Sequence, residues 1–202
     1  MTTLLADDPE ALAAAARAMD DRALVVLPTD TLYALAADAL DEDAVLEVFR
    51  VKGRAADQAL PVCVGGFPEV GHVATASPLA RRLAERWWPG PLTLVMRAKP
   101  WLPNAVTAGG DTVAVRAPGH PFARALATHF GPFTVTSANR SGQPPAADVR
   151  AAREQLGGAV RLYVDGGTLL GVPSTIVDCT GDTPRVLREG AVPAAEVAAL
   201  GP

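Results

Sequence analysis

The sequence predicts an α/β fold: a mixed sheet, part parallel and part antiparallel, flanked by helices. Three observations predict it. Short apolar strand-like runs alternate with segments of helical periodicity along the chain. The last three strand-like runs, "RLYVD", "STIVD" and "RVLRE", come without intervening helices, so part of the sheet is antiparallel. A chain of 202 residues, 49% of them hydrophobic, suits one core, and no linker, repeat or low-complexity tract divides it. Residues 1–202 therefore read as a single domain.

Taken in order, Asp8-Pro9 is a cap followed by a first-turn proline, after which Leu12, Ala15, Ala16 and Met19 repeat at helical spacing. Ala23–Pro28 is a buried strand. Asp41 opens a second helix with the stripe Val45, Val48 and Phe49, and "LPVCV" is the next strand. Ser77-Pro78 starts a helix carrying Leu79, Leu83 and Trp87. "LTLVM" and "TVAVR" are strands, Pro121 starts a helix with Phe122, Leu126 and Phe130, and "FTVTS" is a strand. Asp148–Gln155 is helical, the three late strands follow, and a short helix ends the chain. Pro100–Asp111 and Arg140–Ala147 read as turn-rich loops; the latter and Gly166–Pro173 have the composition of lids.

Composition excludes several function classes. A net charge of −4 gives no general attraction to nucleic acid or anionic membrane. The start, "MTTLLADDPE", lacks a basic leader region, and no apolar run approaches the roughly 20 residues that span a bilayer. Cys63 and Cys179 lie inside apolar runs, which points to two buried thiols in a reducing cytoplasm, with a Cys63–Cys179 bridge as the alternative. No two of the 18 glycines are spaced i, i+2, so no G-x-G-x-x-G fingerprint exists. Gly66 to Gly71 has P-loop spacing, but His72 stands where lysine is required. Cysteines and histidines are scattered without metal-ligand spacing, and no G-x-S-x-G supports a nucleophilic serine.

Four features can carry chemistry. "PTDTLYALAAD" places Thr29, Asp30 and Thr31 directly after a buried strand, where α/β sheets build ligand sites. "VKGR" places Lys52 at i+7 from Val45, in line with the core-facing stripe, with Gly53 as the cap that turns Arg54 toward the same region. "TSANRSGQPP" offers Ser137, Asn139, Ser141 and free backbone N–H groups that can line a phosphate or carboxylate. Arg116 ends "TVAVR", and Arg188 alternates with Val186 in "RVLREG". Each has a plain structural reading as a turn, a capped helix end or a surface ion pair.

Their combination is specific. "PTDTLYALAADA", "VFRVKGR", "WWPGPLTLV", "VAVRAPGHP", "TSANRSGQPP", "STIVD" and "RVLREG", in that order from about Leu24 to Gly190, resemble the YrdC/TsaC family of threonylcarbamoyl-AMP synthases in its short form. The paired K-x-R and S-x-N, here Lys52, Arg54, Ser137 and Asn139, is that family's signature. The resemblance implies a twisted mixed sheet with a concave basic cavity. The implied reaction converts L-threonine, bicarbonate and ATP, accompanied by Mg2+, to threonylcarbamoyl-AMP and pyrophosphate. Partner proteins then pass the threonylcarbamoyl group to a tRNA adenosine next to the anticodon.

Position by position, the resemblance puts Thr31, Cys63, Arg116 and Ser174 at L-threonine, and Arg54, Gln58, Thr112, Ser137 and Arg188 at ATP. Lys52 and Asn139 complete the catalytic signature around phosphates and carbamate. No protein-ligated metal is implied. Ala34 and Ala37 replace family glycines, Gln58 stands for an asparagine, and Cys63 replaces a histidine. The longer members' extra C-terminal domain is not expected. Cys63 motivates an alternative, a paralogue acting on another carbamoyl or adenylate substrate. A non-catalytic RNA-binding module is a further one, since a basic cavity permits weak RNA contact, although the acidic net charge argues against it.

Overall fold

The computed structural model describes residues 2–55 and 57–200. Its eleven strands are β1 (Thr2–Leu5), β2 (Leu24–Pro28), β3 (Tyr33–Asp38), β4 (Val62–Cys63), β5 (Ala74–Thr75), β6 (Leu92–Ala98), β7 (Thr112–Arg116), β8 (Phe133–Ser137), β9 (Val160–Asp165), β10 (Thr175–Asp178) and β11 (Arg185–Arg188). Seven helices accompany them: α1 (Ala11–Asp20), α2 (Glu42–Lys52), α3 (Pro78–Trp87), α4 (Asn104–Thr107), α5 (Pro121–Phe130), α6 (Val149–Leu156) and α7 (Ala194–Ala198). All strands belong to one sheet of order β1-β9-β2-β3-β8-β4-β7-β6-β10-β11, with β5 on β6. It is mixed, as expected: β2 lies parallel to β9 and β6 parallel to β10, whereas β3 is antiparallel to both β2 and β8.

Helices cover both faces, and the period-two strand pattern divides the core accordingly. Val25 and Leu27 of β2 face the cluster built from α1 and α5, with Met19, Phe122 and Leu126. Leu24 and Val26 face the other cluster, with Val45, Val48 and Phe49 of α2 and Leu79 and Leu83 of α3. Because β2 is buried throughout, it reads as a continuous apolar run rather than an alternating one.

Local chemistry sets the helix ends. Asp41, Ser77 and Asp148 accept from the backbone N–H three residues on, at 3.1, 3.1 and 2.7 Å. Gly53 closes α2 in the left-handed region at φ 62°. Asp8 does not cap α1. Its Oδ1 instead accepts from Glu10 N at 2.8 Å in a local turn, and the helix starts two residues later than Asp8-Pro9 predicts.

Four further differences follow. "YALAAD" is strand β3, whose alternation is masked because both of its faces are buried. Pro28 pairs with Tyr33, so "TDTL" is the turn of a hairpin rather than a loop leaving toward a crossover. Thr2–Leu5 forms an edge strand too short and exposed to carry an apolar signal, and the loop Pro100–Asp111 holds the one-turn α4. Both cysteines are free and buried. No helix of the described residues is long and apolar enough to cross a membrane.

Candidate active site

Two adjoining cavities, of about 430 and 490 Å³, share Arg54, Thr136 and Ser137 as a common wall. The first draws one side from β3 and β8 and the other from β6, β7, β10 and β11. The second lies against the end of α2 and the turn after β8. Among the described residues, Lys52, Arg54, Arg116 and Arg188 line these spaces and no carboxylate does. In an acidic protein this concentrates positive potential where anions enter.

Arg116, 6% exposed, ends β7 and ties the β2–β3 turn to the loop before β6. Its Nε donates to Gly90 O at 3.0 Å and its Nη1 to Thr31 Oγ1 at 2.9 Å. Nη2 lies 2.6 Å from Asp30 Oδ1, but makes no hydrogen bond along that approach and retains donor capacity. Thr31 is held in turn by Thr29, whose Oγ1 accepts from Thr31 N and Leu32 N and donates to Leu32 O. Arg188 Nη2 donates to Ser174 O at 2.8 Å, and Ser174 Oγ pairs with Thr93 Oγ1 at 2.9 Å. The first cavity thus presents these two guanidinium groups among hydroxyls, with Arg54 as a third at the wall it shares with the second. Burial, and next the Arg116 charge, lower the Arg188 pKa.

Lys52, 4% exposed, points inward as the helical spacing requires. Its Nζ donates to Ser137 O at 2.5 Å, Asn139 O at 2.7 Å and Asn139 Oδ1 at 3.4 Å. These acceptors lie at the end of β8 and in the turn after it, and Lys52 O accepts from Ser141 N at 2.8 Å. The ammonium therefore organises the turn. Burial, followed by repulsion from Arg54, lowers its pKa to about 8. Arg54, released by the Gly53 cap, extends between both cavities. Its Nη2 donates to Ala59 O at 3.2 Å, and its buried Nε has no partner among the described residues. An unpartnered guanidinium N–H at a cavity wall is a ready anion donor.

Thr31, Arg116, Ser174 and Arg188 thus gather in the first cavity, Lys52, Gln58 and Asn139 in the second, and Arg54 and Ser137 in both. Two expected positions are not brought to either. Cys63 is 1% exposed and sits beside Arg116, its cross-strand neighbour, within the apolar cluster of α1 and α5, with its thiol pushed up to about 12 by burial. Thr112 begins β7 opposite Arg97, four residues and about 13 Å of strand from Arg116. Sequence reasoning passed over Thr93 and Thr136, which do line the first cavity. The signal for Thr93 is a single hydroxyl inside the apolar run "LTLVM". The two lid-like stretches are tied down: Tyr33 Oη donates to Gly167 O at 2.7 Å, and Leu169 N to Ala147 O at 2.8 Å.

Comparison with known proteins identifies the family and the fold. A threonylcarbamoyl-AMP synthase of Pyrococcus abyssi is 41% identical over 177 residues, covering 86% of this chain and 52% of the relative. The chain therefore spans about half the length of that protein. A Mycobacterium tuberculosis relative is 44% identical over 177 residues, 87% of this chain and 82% of its own. The crystal structure of P. abyssi Sua5 complexed with L-threonine superposes with a TM-score of 0.88 at 39% identity, over 94% of this chain and 56% of that one. Residues 17–190 match the family model Sua5_yciO_yrdC, described as telomere recombination, and the chain belongs to that family.

Proposed function

We propose that this chain is an L-threonylcarbamoyladenylate synthase, joining L-threonine, bicarbonate and ATP into threonylcarbamoyl-AMP with release of pyrophosphate. The observation that carries the reading is the acid-free pair of cavities, with Arg54, Thr136 and Ser137 as the wall between them. Two substrates that must react need adjoining sites with one shared boundary. The name and the L-threonine complex of the relatives support the same assignment.

In this reading the first cavity takes L-threonine. Its carboxylate meets the guanidinium groups of Arg116 and Arg188 that line the cavity, and the hydroxyls of Thr31, Thr93 and Ser174 surround its polar groups. ATP phosphates occupy the second cavity, against Arg54, Ser137 and the backbone near Ser141 and Gly142. The threonine amine forms a C–N bond to the bicarbonate carbon, a C–O bond breaks and water leaves, and a carboxylate oxygen of the resulting carbamate attacks the α-phosphorus. A new P–O bond forms, and the bond to the β-phosphate breaks as pyrophosphate leaves. Negative charge grows on the leaving group and the α-phosphoryl oxygens, so fixed cations in a partly dry site lower the barrier. Mg2+ would arrive with ATP and would offset charge on its phosphates. We place the reaction in the cytoplasm, on one domain, with tRNA-directed transfer proteins as downstream partners.

The test is pyrophosphate release from ATP by the purified chain. Release that needs both L-threonine and bicarbonate supports the reading. Release indifferent to threonine points to a paralogue with another substrate, and RNA binding without turnover to a binding module.

A further inference from the structure

The loop after β8 serves both cavities: Ser137 lines both, Ser141 and Gly142 the second, and Pro145 the first. It has no strand partner beyond Ser137, so its shape depends on side-chain ties. The inner ties are those of Lys52 together with the Asn139 amide, whose Nδ2 donates to Arg140 O at 2.9 Å and Gln143 O at 2.6 Å. The outer tie comes from one residue that lines neither cavity. Gln155, in the last turn of α6, accepts at Oε1 from Arg140 N (3.0 Å) and donates from Nε2 to Pro144 O (3.1 Å). Its main-chain carbonyl also accepts from Arg140 Nε at 2.9 Å. A single amide thereby bridges two backbone groups four residues apart and closes the loop into a ring.

We infer that Gln155 is a positioning residue for the nucleotide side of the reaction. It fixes the spacing of the backbone at Ser141 and Gly142 from outside, without touching substrate. Only an amide supplies one donor and one acceptor at this place. Leucine of similar size supplies neither, and glutamate keeps the contact to Arg140 N while opposing the Pro144 carbonyl. Since α6 packs through Val149, Ala152 and Leu156, Gln155 is not part of the core. The inference rests on the synthase reading for its kinetic readout but not for its structural one.

The experiment compares the full chain with its Gln155→Leu and Gln155→Glu variants. Amide hydrogen exchange at Arg140 and Gln143 should accelerate at least about tenfold in Gln155→Leu, with β2 and β8 unchanged. The KM for ATP should rise about 5- to 10-fold while the KM for L-threonine stays within about twofold, with Gln155→Glu intermediate. Unchanged exchange overturns the proposal. So does a loosened loop with both KM values unmoved, or an equal rise in both, since either marks a merely structural contact. If the unmodified chain releases no pyrophosphate, the synthase reading falls and ATP binding decides the clamp. About tenfold weaker binding by Gln155→Leu sustains it, and equal or absent binding overturns it.

Discussion

Asp30 and Arg116 form an ion pair of 2.6 Å at the edge of a cavity that no described carboxylate lines. Arg116 is nearly enclosed while Asp30 keeps 21% of its side chain exposed, so the pair holds a buried guanidinium in a ready orientation. Asp30→Asn should lower stability by about 2 kcal/mol, below the 3–5 typical of a fully buried pair because Asp30 is partly solvated. Denaturant unfolding checks this, and an unchanged midpoint would mean that the pair is dispensable.

Arg116→Lys keeps the charge but loses the planar fork that reaches Gly90 and Thr31 together. The KM for L-threonine should rise at least about tenfold, with the KM for ATP nearly constant. Initial-rate kinetics with each substrate varied will separate the two, and a selective rise for ATP would reverse the assignment of the cavities.

Arg54→Ala should reduce kcat about 100-fold or more, in line with removal of one preorganised donor to developing charge. Its thermal midpoint should move little, since the guanidinium makes one backbone hydrogen bond and no ion pair. Lys52→Ala should differ by losing both activity and stability, because three carbonyl contacts in the turn lose their donor. Equal thermal midpoints for the two variants would contradict that division of roles.

Lys52 also gives a pH signature. Folding lowers its pKa from 10.5 to about 8, so the fold disfavours the charged form, a cost present in full below pH 8. Between pH 8 and 10.5 the unfolded chain binds the proton that the folded chain has released, and stability rises with pH there. Relative to Lys52→Met, the unmodified chain should gain about 3 kcal/mol across that window. Parallel denaturation curves at pH 7 and pH 10 measure it, and a pH-independent difference would show that the lysine is solvated.

Cys63 and Cys179 are each 1% exposed, and burial pushes both thiols up to about 12. A thiol reagent at pH 8 should leave the native chain unlabelled and modify two thiols after denaturation. Rapid native labelling of either would place it at a surface instead.

Residue order alone carried the mixed sheet, most of the helices with their caps, and the cation and hydroxyl groups of the site. These are local signals: periodicity, capping chemistry and short motifs such as "VKGR" and "TSAN". The inward aim of Lys52 was legible because i+7 spacing on a helix is a geometric statement. Tertiary structure decided the rest. Strand β3 is buried on both faces, partly by pairing with β8 about a hundred residues on, and the placement of Thr93 depends on β10, so no local window reports either. Packing likewise enclosed Cys63 in the apolar cluster of α1 and α5 rather than at the cavity, and pairing left Thr112 a strand's length away. Which acceptor receives the Lys52 ammonium was set by the turn after β8, 85 residues on. A side chain's direction follows from its own element, but its partner follows from the fold.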